Sequence, residues 1–281
     1  MEMRHKIVVC PAGGLANRMR ALMSGITLAR DTDRDVEIVW MRDDGLNAGY
    51  EDLFDIKCLP VKLMEPGYAE FALKYSLPRK KNLYLSRIYQ SFRFERCFFD
   101  VPANLPLYES KTKLAEAVRS HDGDLYFVSG YDFYCFDPEE YRRVLKPSAD
   151  IIGRLDRLKA DVGDCKVGLH IRRTDNTTSI EMSPLELFKE KIEREIAADD
   201  TVRFYLATDD EQVKAELMQS YPGRIFCLPR KASRDTLEGM KDAMVELLML
   251  AGMRQVYGSH YSSYSEAAAI IGCNDFETCR I

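Results

Sequence analysis

Two adjacent arginines end a short apolar run in the second half of the chain, and their chemistry suits an anionic ligand. Arg172 and Arg173 follow residues 166–171, a run that is typical of a buried strand. In open α/β sheets, ligands bind beyond the carboxyl ends of the strands. An arginine there offers a rigid, charged fork for two oxygens of a carboxylate or phosphate. The pair therefore predicts an anion site, with structural ion pairs as the alternative of equal weight.

Polar residues cluster at two further points where a predicted strand gives way to a helix. Asp209 and Asp210 form one cluster, and Ser262 and Ser263 belong to the other. In a parallel sheet, all three clusters should converge on one edge. Backbone N–H groups and hydroxyls at the start of the last helix would bind a phosphate, and the aspartates would accept from a base or ribose. Aspartate and serine are also common helix N-caps, which is the structural alternative for each residue.

A glycine-rich turn near the N-terminus is a further candidate for ligand contact. It contains Gly13 and Gly14 and leads into Asn17 and Arg18. It is neither a Walker loop nor a complete Rossmann fingerprint, because the GKS or GKT sequence and the third glycine are missing. The glycines could serve only a tight turn, whereas Asn17 and Arg18 could reach into a cleft between two domains.

Strands and helices that alternate along the chain would position these residues. Apolar runs predict strands at residues 6–10, 36–40, 125–128, 166–171, 203–207, 224–228 and 255–258. Amphipathic spacing and capping residues predict helices between them, with capping boxes that begin at Ser183 and Thr208. This alternation predicts parallel sheets covered on both faces. The candidate domain boundary lies in the segment that begins at Pro147 and leads into a predicted helix at residue 151. It would separate an N-terminal domain, 1–150, from a C-terminal domain, 151–281.

The segment 84–99 combines aromatic and basic side chains. It could line a sugar-binding groove, or its rings could pack against the N-terminal sheet as a helix pair. The packing interpretation is favoured.

Composition narrows the class of protein. The chain has 281 residues, of which 46% are hydrophobic and 30% charged, and its net charge is −5. These values are typical of a soluble globular protein and do not favour nucleic-acid binding. No apolar run is long enough for a transmembrane segment, although peripheral membrane contact stays open. The eight cysteines form no CxxC pair, so we expect no structural zinc and a cytoplasmic protein with reduced thiols.

The motif His170-Ile171-Arg172-Arg173-Thr174-Asp175 resembles the H-x-R-R-x-D signature of the GDP-fucose-dependent fucosyltransferase superfamily. That superfamily includes the core α1,6-, nodulation, α1,2- and protein O-fucosyltransferases. Residues 13–17 resemble its N-terminal glycine-asparagine loop, 206–210 its second donor motif and 262–265 its late serine motif. The resemblance spans nearly the whole chain, although only the arginine motif is specific by itself.

The resemblance implies a GT-B-type enzyme with two Rossmann-like α/β domains that face a cleft. Such an enzyme transfers fucose from GDP-fucose to a glycan or glycoconjugate hydroxyl with inversion, without a metal or other cofactor. The N-terminal domain would bind the acceptor and the C-terminal domain the nucleotide sugar. The short chain suits a bacterial, cytoplasmic member of the superfamily.

The resemblance also implies roles for individual residues. Arg172 would stabilise the GDP leaving group, and Glu181 would be the base that takes the proton of the acceptor hydroxyl. Glu246 stands where relatives have an aspartate, near guanine or ribose. The remaining residues that would contact the donor are Gly14, Asn17, His170, Arg173, Asp209, Asp210, Ser262 and Ser263.

Several of these residues have structural alternatives. A histidine at the end of a buried strand, such as His170, is more often a hydrogen-bonded core residue, and Glu181 could be an exposed carboxylate. Two alternative functions also stay open. One is a protein that binds nucleotide sugars without transferring them, and the other is an α/β scaffold that binds anions.

Overall fold

The computed structural model describes residues 4–101, 104–173, 177–230 and 233–281. It divides into two compact units, Met1–Lys146 and Pro147–Ile281. Each unit contains one five-stranded sheet in which all neighbouring strands are parallel. The predicted α/β class, with two Rossmann-like units, is therefore confirmed.

The N-terminal unit has the strand order β3-β2-β1-β5-β4. Its strands are β1 (Lys6–Pro11), β2 (Asp35–Val39), β3 (Lys62–Met64), β4 (Arg96–Phe99) and β5 (Leu125–Ser129). Its helices are α1 (Leu15–Asp31), α2 (Tyr50–Leu53), α3 (Tyr68–Lys74), α4 (Leu85–Arg93), α5 (Leu105–Tyr108), α6 (Lys111–Arg119) and α7 (Pro138–Val144), with short 3-10 turns at Ile56–Cys58 and Lys80–Asn82. The core of this unit lies along β1, which is buried in all but its first residue, and β5, which is buried throughout.

The C-terminal unit has the strand order β10-β9-β6-β7-β8. Its strands are β6 (Val167–Ile171), β7 (Phe204–Thr208), β8 (Ile225–Phe226), β9 (Gln255–Ser259) and β10 (Asp275–Cys279). Its helices are α8 (Ala149–Val162), α9 (Thr177–Met182), α10 (Leu185–Ala198), α11 (Glu211–Ser220), α12 (Leu237–Ala251) and α13 (Ser263–Gly272). The chain reverses its direction of travel across the sheet between β6 and β9. The carboxyl ends of these two strands therefore border the crevice in which such sheets bind ligands.

Three strands are absent from the sequence prediction. The strands β3 and β4 are short and carry charged residues, and β10 lies at the sheet edge with most of its side chains only partly buried. Such strands lack the continuous apolar run that identifies a buried strand.

Both predicted capping boxes are wrong. Helix α10 begins after Pro184, and no side chain caps it. The buried Ser183 hydroxyl instead donates to the Cys279 carbonyl and accepts from the His260 N–H. Helix α11 is capped by Asp210 rather than by Thr208. At α10, the tertiary hydrogen bonds of Ser183 override the local capping pattern. At α11, Thr208 is the last residue of β7, so the capping position falls to Asp210.

A fully buried arginine organises the glycine-rich turn of the N-terminal unit. Arg18 donates from Nε to the Gly13 carbonyl at 2.8 Å, and from its terminal nitrogens to the Met41 carbonyl and to Asp43. The prediction that Arg18 reaches outward into a cleft is therefore wrong. Since the Arg18–Asp43 distance is 2.6 Å and Arg18 has no exposed surface, this arginine connects the exits of β1 and β2.

Replacement of Arg18 by Met should lower the free energy of unfolding of the N-terminal unit by about 2–3 kcal/mol. The loss is smaller than for a fully buried ion pair, because Asp43 is 43% exposed and regains water. Trp40, the single tryptophan, lies in the same unit and reports its unfolding in urea.

Arg30→Met is the matched control, because Arg30 pairs with Glu140 on the surface and its removal should cost less than about 1 kcal/mol. Equal losses for the two variants would contradict the organising role of Arg18.

Candidate functional site

The exit of strand β6 is held from both sides by its neighbours in the sheet. The Arg172 N–H donates to the Ser259 hydroxyl at the end of β9, over 3.0 Å. The Arg173 N–H donates to Asp209, which follows β7, over 2.7 Å. Register explains both contacts, because Ile171 lies opposite Thr208 and His170 lies opposite Gly258. The backbone of the arginine pair is therefore fixed at the carboxyl edge of the sheet.

The two arginines have different environments. Arg173 donates from Nη1 to the Ile180 carbonyl of α9 at 3.3 Å, and its buried Nη2 has no hydrogen-bond partner among the described residues. Burial lowers the pKa of Arg173, against the attraction of Asp210, Glu186 and Asp209. Arg172 is half-buried and lowers the pKa of His170, the residue two positions earlier in the chain. Arg173 is half-buried as well, so both arginines stay candidates for ligand contact.

His170 is a neutral, hydrogen-bonded residue at this edge. Its Nδ1 forms hydrogen bonds with the hydroxyls of Ser265, at 2.7 Å, and Ser262, at 3.2 Å. Its ring packs against Tyr264, with 4.8 Å between the ring centroids. Burial lowers the pKa of His170 to about 4; Asp209 opposes this shift, whereas Arg172 and Arg234 add to it. His170 therefore combines the structural role expected of a core histidine with a place in the candidate site.

Arg234 is a site residue that sequence reasoning missed. It lies close enough to His170 to add to the lowering of the His170 pKa by burial, and close enough to Tyr264 to oppose the raising of the Tyr264 pKa by burial. Its only sequence signal is the basic stretch that precedes α12. Its charge makes this edge of the C-terminal unit more favourable for an anion.

Glu246 lies on α12, beside the tyrosines of the C-terminal unit. Burial raises its pKa to about 8; Lys214 opposes this shift and Asp242 adds to it. Burial raises the pKa of Tyr205 and Tyr264, and Glu246 adds to both shifts. Because Tyr264 also packs against His170, Glu246 belongs to the same neighbourhood as the arginine motif.

Two helices begin at this edge of the sheet. Asp210 caps α11 and accepts from the N–H groups of Gln212 and Val213, so its predicted N-cap alternative is confirmed. Ser262 occupies the N-cap position of α13 but makes no capping hydrogen bond, because its hydroxyl faces His170. Ser263 is the first residue of α13. The N-terminus of α13 adds a partial positive charge to the site.

The turn between β9 and α13 adopts an uncommon backbone conformation. Tyr261 has a positive φ of 53°, which costs energy for a residue with a side chain. Its exposed ring packs against His260, with 4.1 Å between the ring centroids. Gly258 lets α13 approach β9 closely, because a Cβ atom there would lie 2.4 Å from the Ser265 hydroxyl.

The glycine-rich turn lies at the corresponding edge of the N-terminal sheet. Gly13 has a φ of +80°, and a Cβ atom there would lie 3.0 Å from the Asn17 amide nitrogen. Gly14 precedes α1. The Asn17 side-chain oxygen accepts from Arg20 at 3.0 Å, and Arg20 also donates to the Gly130 carbonyl. Arg20, which the sequence analysis did not identify, therefore orients Asn17.

Asp100 is a further residue that the sequence analysis missed. It follows β4, and one of its oxygens accepts from the Gly130 N–H at 2.7 Å. Its other oxygen is buried and has no hydrogen-bond partner among the described residues. Burial raises the pKa of Asp100. The only sequence signal was an acidic residue after the two apolar residues that end β4, a run too short to identify the strand.

The remaining predicted residues are less well placed, or lie outside the described part of the chain. Glu181 is an exposed residue of α9, as its structural alternative implies. Thr174 and Asp175 of the arginine motif lie outside the described residues. The described residues include no group of three or more histidine, cysteine or acidic side chains that could hold a metal. None of the described helices combines the length and the apolarity that a bilayer-spanning segment needs.

Solved structures of fucosyltransferases share this fold. NodZ alpha-1,6-fucosyltransferase soaked with GDP-fucose is 17% identical, with a TM-score of 0.60 over 95% of this chain and 92% of that chain. Fucosyltransferase NodZ from Bradyrhizobium is 17% identical, with a TM-score of 0.60 over 95% and 93% of the two chains. POFUT1 in complex with GDP is 12% identical, with a TM-score of 0.60 over 100% of both chains.

No family model and no curated protein sequence matches the chain. At identities this low, the similarity establishes the fold. The fold expected from the resemblance to GDP-fucose-dependent fucosyltransferases is therefore confirmed, and structures of that fold contain GDP or GDP-fucose.

The His170 imidazole should titrate near pH 4 rather than near 6.5, because burial disfavours the charged ring. The unfolded chain then binds this proton more readily than the folded chain. The free energy of unfolding should fall by about 3 kcal/mol as the pH drops from 6.5 to 4.

NMR titration of the four histidine rings, with His170→Gln to assign the signal, measures this pKa directly. A midpoint near 6.5 for His170 would contradict the account of its environment.

Proposed function

We propose that the protein is a glycosyltransferase of the GT-B type that transfers fucose from GDP-fucose to a hydroxyl of a glycan or glycoconjugate. The observation that carries this proposal is the fixed exit of β6, which holds Arg172 next to a neutral histidine and the N-terminus of α13. The fold shared with NodZ and POFUT1 supports GDP-fucose as the donor.

The C-terminal unit binds the donor through groups of complementary charge. Arg172 binds the pyrophosphate, and the start of α13 at Ser262 and Ser263 binds a phosphate. His170 and Asp209 hold the nucleotide at the sheet edge. Arg173 contributes mainly by fixing the loop, since its side chain donates to the Ile180 carbonyl.

Glu246 recognises the N–H groups of the guanine base. Burial deprives the charged form of its carboxyl group of stabilisation by water, and this raises the pKa to about 8. Hydrogen bonds from guanine would favour the carboxylate and lower this pKa. Uracil offers fewer such donors, which makes Glu246 a basis for selecting GDP over UDP.

Transfer proceeds with inversion as the bond from the fucose anomeric carbon to the phosphate oxygen breaks. The acceptor oxygen attacks the opposite face of the sugar, and the bonding electrons leave with GDP. Negative charge grows on the pyrophosphate in the transition state, where Arg172 is already in place. We assign the neutralisation of this charge to Arg172 and Arg234, and this assignment requires no metal.

A carboxylate takes the proton of the acceptor hydroxyl. Glu181 is our first candidate, by its position after the arginine motif. Asp100 is the competing candidate, since its unpartnered oxygen and raised pKa favour proton uptake. We assign acceptor binding to the N-terminal unit and donor contact to Gly14 and Asn17 of that unit. We assign the reaction to a reducing, cytoplasmic compartment. The eight free cysteines are consistent with such a compartment.

Arg172→Ala should weaken GDP binding at least about hundredfold, as expected when a bidentate charged contact is lost. The melting temperature should change little, because the hydrogen bond from the backbone N–H of residue 172 to the Ser259 hydroxyl is kept in the variant. Arg157→Ala removes an exposed arginine of α8 and is the matched control. If Arg172→Ala binds GDP like the parent, or unfolds, the donor site is elsewhere.

Glu181→Gln and Asp100→Asn should separate the two candidate bases. The variant that lacks the base should bind GDP-fucose normally and transfer fucose about 10²–10⁴-fold more slowly, as measured by GDP release with acceptor present. Normal transfer by Glu181→Gln together with loss in Asp100→Asn would assign the base to Asp100. Normal transfer by both variants would exclude both carboxylates.

A further inference from the structure

Helix α4 of the N-terminal unit is turned with apolar side chains outward and polar side chains inward. Leu85, Ile88 and Phe92 recur at helical spacing, and the exposed fractions of Ile88 and Phe92 are 61% and 89%. Ser86 and Gln90 are buried on the opposite face. This arrangement is the reverse of an ordinary surface helix, whose apolar stripe faces the core.

Hydrogen bonds fix this orientation of α4. The Gln90 side-chain nitrogen donates to the carbonyls of Lys74 and Ser76, at 3.1 and 3.0 Å, where helix α3 ends. Rotation of α4 to bury Phe92 would remove Gln90 from both carbonyls and leave buried polar groups without partners, which is costly. The exposed apolar stripe is therefore a stable feature of this unit.

Two residues before α4 extend the apolar stripe. Leu83 and Tyr84 have positive φ angles of 50° and 55°, a conformation that residues with side chains adopt at some cost. Both side chains are exposed, Leu83 by 77%. We call the exposed side chains of Leu83, Tyr84, Leu85, Ile88 and Phe92 the α4 surface.

Basic residues surround the α4 surface. The segment 79–96 contains six lysines and arginines and one acidic residue, although the whole chain has a net charge of −5. Arg79, Lys80 and Arg87 are exposed, and ion pairs within the described part of the chain involve none of them. This local charge is complementary to an anionic partner, and it would repel the same surface of a second copy.

We propose that the α4 surface docks the protein on an anionic membrane surface. Exposed leucine, isoleucine and aromatic side chains flanked by cations are the features with which interfacial helices bind lipid: the apolar groups enter the acyl boundary and the cations remain at the headgroups. The contact is peripheral and shallow. The proposal depends on the N-terminal unit alone and is independent of the transfer reaction.

Sedimentation with lipid vesicles tests the proposal on the full chain. Vesicles of phosphatidylcholine alone are compared with vesicles that also contain phosphatidylglycerol. The parent should bind the anionic vesicles more tightly, and the double substitution Ile88→Ser and Phe92→Ser should weaken this binding at least about tenfold. Replacement of Arg79 and Arg87 by Gln should weaken binding to the anionic vesicles about fivefold per cation removed. High salt should abolish this difference between the variant and the parent.

The matched control replaces two exposed apolar side chains of the C-terminal unit, Ile152 and Met218, by Ser. It should bind vesicles like the parent, and all variants should keep the parent's circular dichroism spectrum and melting temperature. The proposal is overturned if the parent binds neither vesicle or does not distinguish them, or if the Ile88 and Phe92 substitutions leave binding unchanged. It is equally overturned if those substitutions only abolish self-association in solution.

Discussion

The candidate site depends on how the chain leaves the central strand of the C-terminal sheet. The hydroxyl of Ser259 and the carboxylate of Asp209 accept the two successive N–H groups of Arg172 and Arg173. Both hydrogen bonds are donated by backbone N–H groups. They fix the position of the loop and leave both guanidinium groups uninvolved in these two contacts. A buried N–H without an acceptor would be costly, which makes these two side chains a condition for the local structure. The geometry of the arginine pair follows from strand order and register.

The electrostatics of this edge favour an anion before any ligand arrives. Arg172 and Arg234 both lower the pKa of His170, and burial keeps the imidazole neutral. The Ser262 hydroxyl faces His170 rather than capping α13. A fixed arrangement of cations and helix N-terminus requires little reorganisation when negative charge develops, which is the arrangement expected of a site that stabilises a leaving pyrophosphate.

The sequence predicted what depends on local pattern and missed what depends on tertiary contact. The apolar run before Arg172 identified β6 and its exit, because a buried strand must be apolar. The capping box at Ser183 failed because that hydroxyl bonds to Cys279 and His260. Nor could the pattern show which arginine of the pair turns inward, since this depends on the Ile180 carbonyl of a helix that the sequence did not reveal.

The segment 84–99 is a second case in which the sequence pattern did not determine which side chains are buried. Its packing alternative holds for Phe94, which stacks on Tyr126 with 4.9 Å between the ring centroids, and for the buried Phe98. Phe92 is outside the core. Helical periodicity places apolar residues on one face, but whether that face is buried depends here on the hydrogen bonds of Gln90 to α3.

Calorimetric titration of the protein with GDP, GMP and UDP tests the central claim most directly. The comparison of GDP with GMP shows whether the arginine fixed at the end of β6 binds a pyrophosphate. The comparison of GDP with UDP shows whether the site selects guanine. The account predicts that GDP binds, that GMP binds at least about tenfold more weakly for want of the second phosphate, and that UDP binds more weakly than GDP. Absence of GDP binding, or equal affinities for GDP and GMP, would contradict it.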